Sequence, residues 1–243
     1  MIKINNISKV YQNFELKDVN LEFKSSDIIA LIGENGSGKT TLIKSIFNLV
    51  KLDSGNIEFD NENLHIWKNL TKISFFSDQN SIPLELTLKQ YLWYLSKLNN
   101  MKKDIFIKKQ EKILKMIEIE DLINKKLKNL SSGQKKKAIL AGVLLTEPKF
   151  IFFDEPTANL DIDSKIEFLE IIKYLGELKI GMLITSHLAE ELQLIANRVI
   201  LIKKGKILYD EYFDNKKNSI QDIYQKYYTN KKMNIDLLRE VYE

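Results

Sequence analysis

The stretch that decides the fold occupies residues 33–40 and reads Gly33-Glu34-Asn35-Gly36-Ser37-Gly38-Lys39-Thr40. It matches the pattern G-x-x-x-x-G-K-[ST] at every fixed position. A loop that wraps a phosphate must point successive backbone N–H groups inward, and this requires backbone angles that a Cβ resists. The loop therefore predicts a site for the phosphates of a nucleotide, with binding residues Gly33, Asn35, Gly36, Ser37, Gly38, Lys39, Thr40 and Thr41.

Two side chains in this loop carry specific chemistry. Lys39 can reach the outer phosphates as a positive point charge, and the Thr40 hydroxyl can ligate Mg²⁺. The flanks support the interpretation, because Ile28–Ile32 is a continuous apolar run, as expected of a strand buried on both faces. Apolar residues then recur at helical spacing through residues 42–47, so a helix N-terminus faces the phosphates. The alternative, a glycine-rich turn that binds nothing, is disfavoured because the strand before the motif and the helix after it are both predicted.

Composition bounds the class of protein. The 243 residues suffice for a large domain with a packed core, since 44% are hydrophobic and 29% are charged. There is no cysteine, which excludes disulfides and thiolate metal sites. No apolar stretch approaches the roughly 20 residues that span a bilayer, and the first residues lack the apolar core of a signal peptide. These features predict a cytosolic protein.

The net charge of +4 raises the question of an acidic partner. All of the 37 basic residues except Arg198 and Arg239 are lysines, and they are dispersed in short runs. This distribution is typical of the solvated surface of a lysine-rich chain and differs from a concentrated basic patch. We therefore expect no nucleic-acid partner.

The rest of the chain alternates between strand and helix patterns. Alternating apolar residues over positions 2–23 predict an antiparallel β-layer at the N-terminus. From about residue 84 to residue 129, apolar side chains recur at steps of three and four, which predicts a helical insertion without strands. Further strands are predicted at residues 56–59, 72–76, 150–153, 181–185, 199–202 and 206–209. Strands that alternate with helices around a phosphate loop predict an α/β fold, a P-loop NTPase core with a mainly parallel sheet.

A second candidate site follows the buried strand at residues 150–153, which ends in Asp154 and Glu155. The carboxyl ends of parallel strands meet at one edge of the sheet, beside the phosphate loop. There Asp154 suits contact with Mg²⁺, and Glu155 suits polarising the water that attacks a phosphate. The alternative, two surface acids after a strand, is disfavoured because the strand is entirely apolar and Pro156 ends it at once.

Between these two sites the chain reads Leu130-Ser131-Ser132-Gly133-Gln134, before a helix expected to begin near Lys135. With this pentapeptide the chain resembles the ATP-binding cassette (ABC) ATPases. Residues 33–40 match the Walker A loop of that family, residues 150–155 its Walker B strand, and residues 130–134 its signature Leu-Ser-Gly-Gly-Gln. The motifs stand in the family's order, and the resemblance spans about residues 1–210.

The resemblance implies roles that the motifs alone leave open. Tyr11 matches the aromatic that stacks on adenine, Gln79 the glutamine loop that contacts Mg²⁺ and the attacking water, and His187 the switch histidine that senses the γ-phosphate. Without the other motifs, each residue also has an interpretation with no role in the site. Tyr11 is then a tyrosine of an edge strand, Gln79 a surface glutamine and His187 a histidine without a catalytic role. The implied catalytic residues are Lys39, Gln79, Glu155 and His187, and the implied Mg²⁺ ligands are Thr40, Gln79 and Asp154.

In the family, two cassettes pack head to tail around two ATP molecules, so each signature contacts the nucleotide held by the partner's Walker A loop. The resemblance therefore implies a homodimer or heterodimer in which Ser131, Gly133 and Gln134 act across the interface. Residues 158–161 match the D-loop, which adds Asp161 to the same set. The signature opens a helix whose N-terminal dipole favours an anion, a contribution in trans analogous to an arginine finger.

Ser132 departs from the family pattern, because it replaces the first glycine of the signature. If this position requires a positive φ, serine costs about 1 kcal/mol. If it does not, little changes. We expect a functional site, in which ATP hydrolysis is slower only if the position requires a positive φ.

The helical insertion, at about residues 84–145, corresponds to the family's signature subdomain, whose groove accepts short helices of membrane subunits in transporters. Because the chain has no membrane span, the resemblance implies a separate integral membrane partner and a peripheral location on the cytoplasmic face of the cell membrane. Residues 86–92 and 186–191 are similar to ATPase subunits of ABC-2-type exporters. Those exporters move drugs, antimicrobial peptides, lipids or polysaccharides outward.

Other kinds of ABC protein are alternatives. A member that acts on ribosomes normally carries two cassettes in one chain, and a chromosome- or repair-type member needs a coiled coil far longer than residues 84–129. A soluble ATPase of the iron–sulfur assembly type is small enough to fit, and only the identity of its partner excludes it. The predicted function is therefore ATP hydrolysis that drives an exporter, with a soluble ABC ATPase as the alternative.

The sequence predicts an ATPase domain over residues 1–210 and a C-terminal tail over residues 211–243. One or two amphipathic helices are predicted in the tail from Tyr212, Phe213, Ile220, Ile223, Tyr224, Tyr227, Tyr228, Leu237, Leu238 and Val241. Such helices either cover the edge of the catalytic domain or contact a regulatory or membrane partner. The sequence does not decide between these two roles.

Overall fold

The computed structural model describes residues 1–76, 82–186 and 189–228. Its strands are β1 (Ile2–Val10), β2 (Glu15–Phe23), β3 (Ile28–Ile32), β4 (Ser54–Phe59), β5 (Glu62–Asn63), β6 (Ile73–Phe76), β7 (Phe150–Asp154), β8 (Gly181–Thr185), β9 (Arg198–Lys203) and β10 (Lys206–Tyr212). Its helices are α1 (Lys39–Ile46), α2 (Trp67–Leu70), α3 (Leu88–Leu98), α4 (Lys103–Met116), α5 (Ser132–Leu145), α6 (Ile162–Glu177), α7 (Ala189–Gln193) and α8 (Ile220–Tyr227).

The strands form two sheets. The smaller has the order β2-β1-β4-β5 and is antiparallel throughout. The larger has the order β10-β9-β3-β8-β7-β6 and is parallel except for β10, which runs antiparallel to β9. In the larger sheet β7 and β8 are apolar along almost their whole length, because helices and the smaller sheet cover both faces. The predicted antiparallel layer and mainly parallel sheet are confirmed.

Aromatic side chains fill the space between the two sheets. Phe23 of β2 meets Phe152 of β7, and Phe59 of β4 meets Phe150 of β7, each pair with ring centroids 6.1 Å apart and edges turned to faces. Such edge-to-face pairs add to the hydrophobic gain of burial. The smaller sheet therefore packs over the strand that ends at Asp154.

Helices α3, α4 and α5 form the predicted helical insertion, together with two 3-10 turns at Glu120–Leu122 and Leu127–Asn129. The insertion is held by a close approach of α3 to α5 at Gly142, where a Cβ would lie 2.6 Å from Leu95 Cδ1 and 3.0 Å from Tyr91 Oη. No named strand falls between residues 84 and 129, and Thr87 and Lys126 form only an isolated bridge. Within the described ranges, no helix is long and apolar enough to cross a membrane.

Two expectations about element boundaries are wrong. Helix α5 begins at Ser132, earlier than the expected start near Lys135, because Ser131 provides a side-chain cap that the pattern did not reveal. Tyr212 and Phe213, which the pattern groups with the helical residues of the tail, lie outside α8: Tyr212 belongs to β10, where it pairs with Arg198 of β9, and the Phe213 N–H donates to the Asn197 carbonyl. Helix α8 is confirmed, whereas Leu237, Leu238 and Val241 lie outside the described residues. The division into domains stays a prediction.

Candidate nucleotide-binding and catalytic site

The loop at residues 33–40 connects β3 to α1 at the carboxyl edge of the parallel sheet. Gly36 and Gly38 adopt φ angles of 76° and 112°, which L side chains rarely allow. Helix α1 begins directly after Gly38, and no side chain caps it. The backbone N–H groups of its first turn are therefore arranged to meet an external acceptor, and the helix dipole favours an anion there.

Lys39 is buried, with 6% of its surface exposed, and its Nζ donates to the carbonyl oxygens of Gly33 and Glu34 at 2.7 and 3.2 Å. Burial lowers the pKa of Lys39, while attraction to Glu155 and then Asp154 opposes that shift. The ammonium group is thus held inside the curve of the loop and close to the two carboxylates. Within the described part of the chain, the buried hydroxyl of Ser37 has no hydrogen-bond partner.

These features fit a polyphosphate. The site offers three kinds of hydrogen-bond donor: the uncapped start of α1, the buried Ser37 hydroxyl and the Lys39 ammonium. An anion with several acceptor oxygens can bond to all of them together. A neutral ligand leaves the lysine charge without a counterion in the loop. The prediction of phosphate binding by residues 33–41 therefore has a geometric basis, although the residues stay candidates.

A threonine that the sequence analysis missed joins the Walker B carboxylates to the sheet. Thr185, at the end of β8, lies beside Asp154 in the parallel register of β7 and β8. Its Oγ1 donates to Asp154 Oδ1 at 2.8 Å and accepts from the Glu155 backbone N–H at 2.9 Å. Its only sequence signal is a single hydroxyl at the end of an otherwise apolar strand. Thr185 therefore orients both candidate catalytic acids at once.

The Walker A and Walker B residues meet at this edge. Thr40 Oγ1 donates to Asp154 Oδ2 at 3.0 Å, across 114 positions of sequence. Glu155 has a φ of 51°, a left-handed backbone conformation that is uncommon for a residue with a Cβ and that concentrates at functional sites. The structure thus brings together Lys39, Thr40, Asp154 and Glu155, as the motifs predicted.

The donor set fits a Mg²⁺ ion that takes most of its ligands from elsewhere. Among the residues that the structure describes, no group of three or more histidine, cysteine, aspartate or glutamate side chains could hold a metal. Thr40 and Asp154 nevertheless place a hydroxyl and a carboxylate oxygen 3.0 Å apart. Mg²⁺ is commonly bound by one or two protein oxygens plus substrate phosphates and water.

Tyr11, the candidate adenine-stacking residue, contacts Phe14, and Phe14 contacts the Walker A loop. Tyr11 has 43% of its surface exposed, and its ring centroid is 6.3 Å from that of Phe14. The Tyr11 N–H also donates to the Phe14 carbonyl at 2.7 Å. Phe14 in turn reaches the loop, since a Cβ on Gly38 would lie 2.8 Å from its Cζ. The sequence pattern predicts Phe14 only as part of the β-layer. In the structure its ring lies beside the loop, which makes it a second aromatic residue next to the site.

Two of the signature residues, Ser131 and Gln134, bond to each other. Ser131 Oγ accepts from the Gln134 N–H at 3.2 Å, and Gln134 Oε1 accepts from the Ser131 N–H at 3.1 Å, which is a complete capping box for α5. Ser132 lies in the first turn of α5 and is not among the residues with positive φ. The backbone there imposes no glycine-like conformation, so serine carries no strain from φ at this position.

The D-loop residue Asp161 caps α6. Its carboxylate accepts from the backbone N–H and from the hydroxyl of Ser164, both at 2.9 Å, and these bonds, led by the backbone one, lower its pKa. The signature packs nearby, because a Cβ on Gly133 would lie 3.3 Å from Ser164 Oγ. Lys136 of α5, buried and unnoticed in the sequence, donates to the carbonyls of Pro156 and Ala158. The signature helix is thus tied to the segment that follows Glu155.

Glu191 of α7 connects that segment to the predicted switch. Its carboxylate accepts from Thr157 Oγ1 at 2.5 Å, from Lys165 Nζ at 3.2 Å and from Ser186 Oγ at 3.3 Å. Thr157 and Ser186 are both buried. No sequence pattern distinguished Glu191 from a surface acid. The candidate residues Gln79 and His187 lie outside the described residues, so their roles stay predictions.

A groove of about 430 Å³ separates the insertion from the sheet core. One wall comes from Phe47, α2 and β6, and the other from α3 and α5. Three of its large apolar side chains are open to solvent: Trp67 is 61% exposed, Tyr94 52% and Leu98 45%. Large exposed apolar side chains gathered in one groove are typical of a contact with another protein.

Comparison with known proteins places these features in a family. The family described as ABC transporter matches residues 16–158. The chain is 34% identical, over 82% of its length, to a putative ABC transporter ATP-binding protein of Mycoplasma pneumoniae, and it spans 61% of that protein. It is 34% identical to the energy-coupling factor transporter ATP-binding protein EcfA2 of Clostridium tetani, over 86% of this chain and 78% of the relative. It is 31% identical to the phosphonates import ATP-binding protein PhnC of Lactobacillus acidophilus, over 92% and 94% of the two chains.

Solved structures agree with the sequence relatives. CbiO1 of Clostridium perfringens, part of the ABC transporter complex CbiONQ, is 29% identical with a TM-score of 0.73, over 87% of this chain and 88% of that one. A dimeric ATP-binding cassette in a post-hydrolysis state, bound to ADP and Pi, is 27% identical with a TM-score of 0.76, over 88% and 99%.

Proposed function

The chain belongs to the ABC transporter family, and we propose that it binds and hydrolyses ATP as the motor subunit of a transporter. The family match over residues 16–158 confirms the resemblance drawn from the motifs. The observation that carries hydrolysis is the hydrogen bond of 3.0 Å between Thr40 and Asp154, with Lys39 and Glu155 beside it. This arrangement supports a phosphate site and a general base at one edge of the sheet.

In the proposed reaction, the N-terminus of α1 and the Lys39 ammonium hold the β- and γ-phosphates of ATP. Thr40 and Asp154 are the residues that would hold Mg²⁺, which neutralises charge on the phosphates when bound. Glu155 accepts a proton from the attacking water, whose oxygen forms a bond to the γ-phosphorus while the bond to the bridging oxygen breaks. The products are ADP and inorganic phosphate. Gln79 and His187 are proposed to sense the γ-phosphate.

A second cassette is proposed to complete each site. The capping box makes α5 a preformed helix start, and Ser131 at that start is exposed to solvent. Such a start can receive an anion held by a facing subunit. The dimeric relative bound to ADP and Pi supports a dimer for the present chain, and the head-to-tail orientation is proposed from the family resemblance. Ser131, Gly133, Gln134 and Asp161 are the residues proposed to act across the interface.

The groove between α3, α5 and β6 is proposed to receive a short helix of a separate integral membrane subunit. Its exposed Trp67, Tyr94 and Leu98 offer apolar anchors, which is how a groove recognises one face of an amphipathic helix. In this proposal the chain is a peripheral subunit on the cytoplasmic face of the membrane. Export is the proposed direction, from residues 86–92 and 186–191, although the relatives include a protein named for phosphonate import.

Substitution of Glu155 tests hydrolysis. Glu155→Gln keeps the shape of the side chain but cannot accept a proton, so we expect ATP binding within about twofold of wild type and at least about a 100-fold loss of turnover. The variant should also accumulate as an ATP-dependent dimer in size-exclusion chromatography. Glu170→Gln, an exposed acid on α6, is the matched control and should hydrolyse ATP normally. Normal turnover by Glu155→Gln contradicts the assigned base, and a variant that binds ATP but stays monomeric contradicts the action in trans.

The partner is identified by capture. Tagged Glu155→Gln is expressed in the native cell, trapped with ATP and purified from solubilised membranes, and a multi-span protein in near-equal amount is the expected result. Adding Leu98→Glu should reduce its recovery at least about fivefold, whereas Ile107→Glu on α4 should not, because Ile107 is exposed but lies outside the groove. Recovery of ribosomal proteins or assembly factors instead contradicts transport and leaves the ATPase proposal in place.

A further inference from the structure

Helix α8, in the tail, ends against the Walker A loop. Tyr228, directly after α8, is only 3% exposed, and its hydroxyl donates to the Ile202 carbonyl at 2.5 Å. The same carbonyl borders the loop, since a Cβ on Gly33 would lie 2.3 Å from it. Burial raises the pKa of Tyr228 to about 12, and a hydrogen bond from the Glu34 backbone acts against that rise. The Tyr228 hydroxyl therefore sits between the end of β9 and the second residue of the loop.

The Tyr228 ring contacts a second aromatic ring and a lysine. The Tyr224 ring stacks on it with centroids 4.2 Å apart and an interplanar angle of 11°. Lys203 Nζ lies 4.7 Å from the centroid of the Tyr228 ring and donates to the Tyr227 carbonyl at 3.2 Å. A ring held by stacking and a cation in this way has little freedom, so its hydroxyl is kept in one position.

The other end of α8 is attached to α7. Gln193 Oε1 accepts from the Ile220 N–H at 2.8 Å, and Gln193 Nε2 donates to the Asn218 carbonyl at 3.0 Å. The Ile220 side chain is fully buried. Helix α8 thus spans from α7, which follows the predicted switch, to the phosphate loop.

The loop has one further attachment on this side. The Gly205 N–H, in the turn between β9 and β10, donates to the Ser37 carbonyl at 2.8 Å. The loop is therefore held from outside at two points: Tyr228 bonds the Ile202 carbonyl that borders Gly33, and the Gly205 turn bonds the Ser37 carbonyl. The first attachment depends on the tail, and the second belongs to the sheet core.

We propose that Tyr228 is a positioning residue for the Walker A loop, and that docking of α8 and binding of ATP stabilise one another. The proposal rests on ATP binding at this loop and is independent of transport. Its thermodynamic basis is reciprocity: if the docked tail favours the loop conformation that binds ATP, bound ATP must favour the docked tail by the same factor. The proposal takes up the first of the two roles predicted for the tail, that of covering the edge of the domain, and couples it to ATP binding.

The first test removes one hydroxyl. Tyr228→Phe in the full chain should raise the Kd for a fluorescent ATP analogue and the KM for ATP about three- to tenfold, the effect of losing one buried hydrogen bond. The kcat should stay within about twofold, because Tyr228 touches no reacting atom. Tyr227→Phe is the matched control, since its ring packs on Tyr209 at 5.6 Å, and it should bind ATP as wild type does. Equal losses in both variants, or none in Tyr228→Phe, overturn the proposal.

The second test needs no variant, so it decides the matter even if Tyr228→Phe fails to fold. Hydrogen–deuterium exchange of residues 220–228 in the wild-type protein should slow on addition of AMP-PNP with Mg²⁺, in proportion to the coupling. Unchanged exchange at saturating nucleotide overturns the proposal. If the wild-type protein binds no nucleotide at all, the proposed ATPase function is wrong instead, and the two failures are thereby distinguished.

Discussion

Two helices of this chain begin at motifs that are proposed to receive phosphates, and they begin in different ways. Helix α1 follows Gly38, which has a φ of 112°, and no side chain caps it. Helix α5 follows Ser131, whose hydroxyl forms a capping box with Gln134. The first helix start depends on an outside acceptor, whereas the capping box of the second already bonds the N–H groups of Ser131 and Gln134 within the chain.

In the proposed dimer, this difference fits the subunit that supplies each nucleotide: α1 meets the chain's own ATP and α5 the ATP of the partner. A loop that wraps its own ligand needs free N–H donors and a backbone that only glycine adopts easily, and both features reduce the intrinsic stability of the helix start. A helix that meets a ligand on a partner must exist before the partner arrives, and a capping box provides that stability. We therefore expect substitutions at α1 to act on nucleotide binding and catalysis, and those at α5 to act partly on folding.

The largest effect is expected on the α1 side. Lys39→Ala removes the buried ammonium group, and we expect a loss of about 100- to 1000-fold in kcat/KM, as for other groups that stabilise transition-state charge. Lys44→Ala, at an exposed position on the same helix, is the control and should retain activity. Steady-state phosphate release measures both. A Lys39→Ala variant with near-normal turnover would show that the α1 start does not bind the reacting phosphates.

An intermediate effect is expected on the α5 side. Ser131→Ala removes the cap and should lower the free energy of unfolding by about 1 kcal/mol, which is about 2–4 °C in Tm for a chain of this size. Thr87→Ala is a matched control, because Thr87 and Gln90 form the same capping box at the start of α3. Only Ser131→Ala should also slow ATP hydrolysis, by about tenfold. Equal rates of ATP hydrolysis in the two variants would show that Ser131 caps the helix and has no further role in hydrolysis.

The smallest effect is expected at Ser132. Ser132→Gly restores the family's signature, but the position already has an ordinary φ, so we expect hydrolysis within about twofold of wild type. Glycine in the first turn of α5 should lower stability by at most about 1 kcal/mol. Thermal unfolding and phosphate release measure the two quantities. A much faster Ser132→Gly variant would mean that a side chain at this position obstructs the partner's nucleotide.

The motifs predicted most of the site because each is short and contiguous. A glycine loop between a strand and a helix, or two acids after a buried strand, has a local physical reason that is legible in the sequence. Tyr212 was misassigned because an aromatic residue near a chain end fits an amphipathic pattern as well as an edge strand, and its pairing with Arg198 decides between them. The expected start of α5 near Lys135 is wrong because it follows the apolar pattern and overlooks the spacing of Ser131 and Gln134, which is a sequence signature of a capping box.

The sequence alone thus determined the fold class, the family resemblance and the residues of both Walker motifs, since these depend on local patterns of apolar, glycine and acidic residues. Tertiary structure alone placed Thr185 against Asp154, Glu191 between Thr157 and Ser186, and Tyr228 beside the phosphate loop. Except for the contact between Glu191 and Ser186, these contacts join segments that are distant in sequence, each through a single hydroxyl or carboxylate. Such a group looks like any other polar residue until the packing of the sheet and helices determines its neighbours.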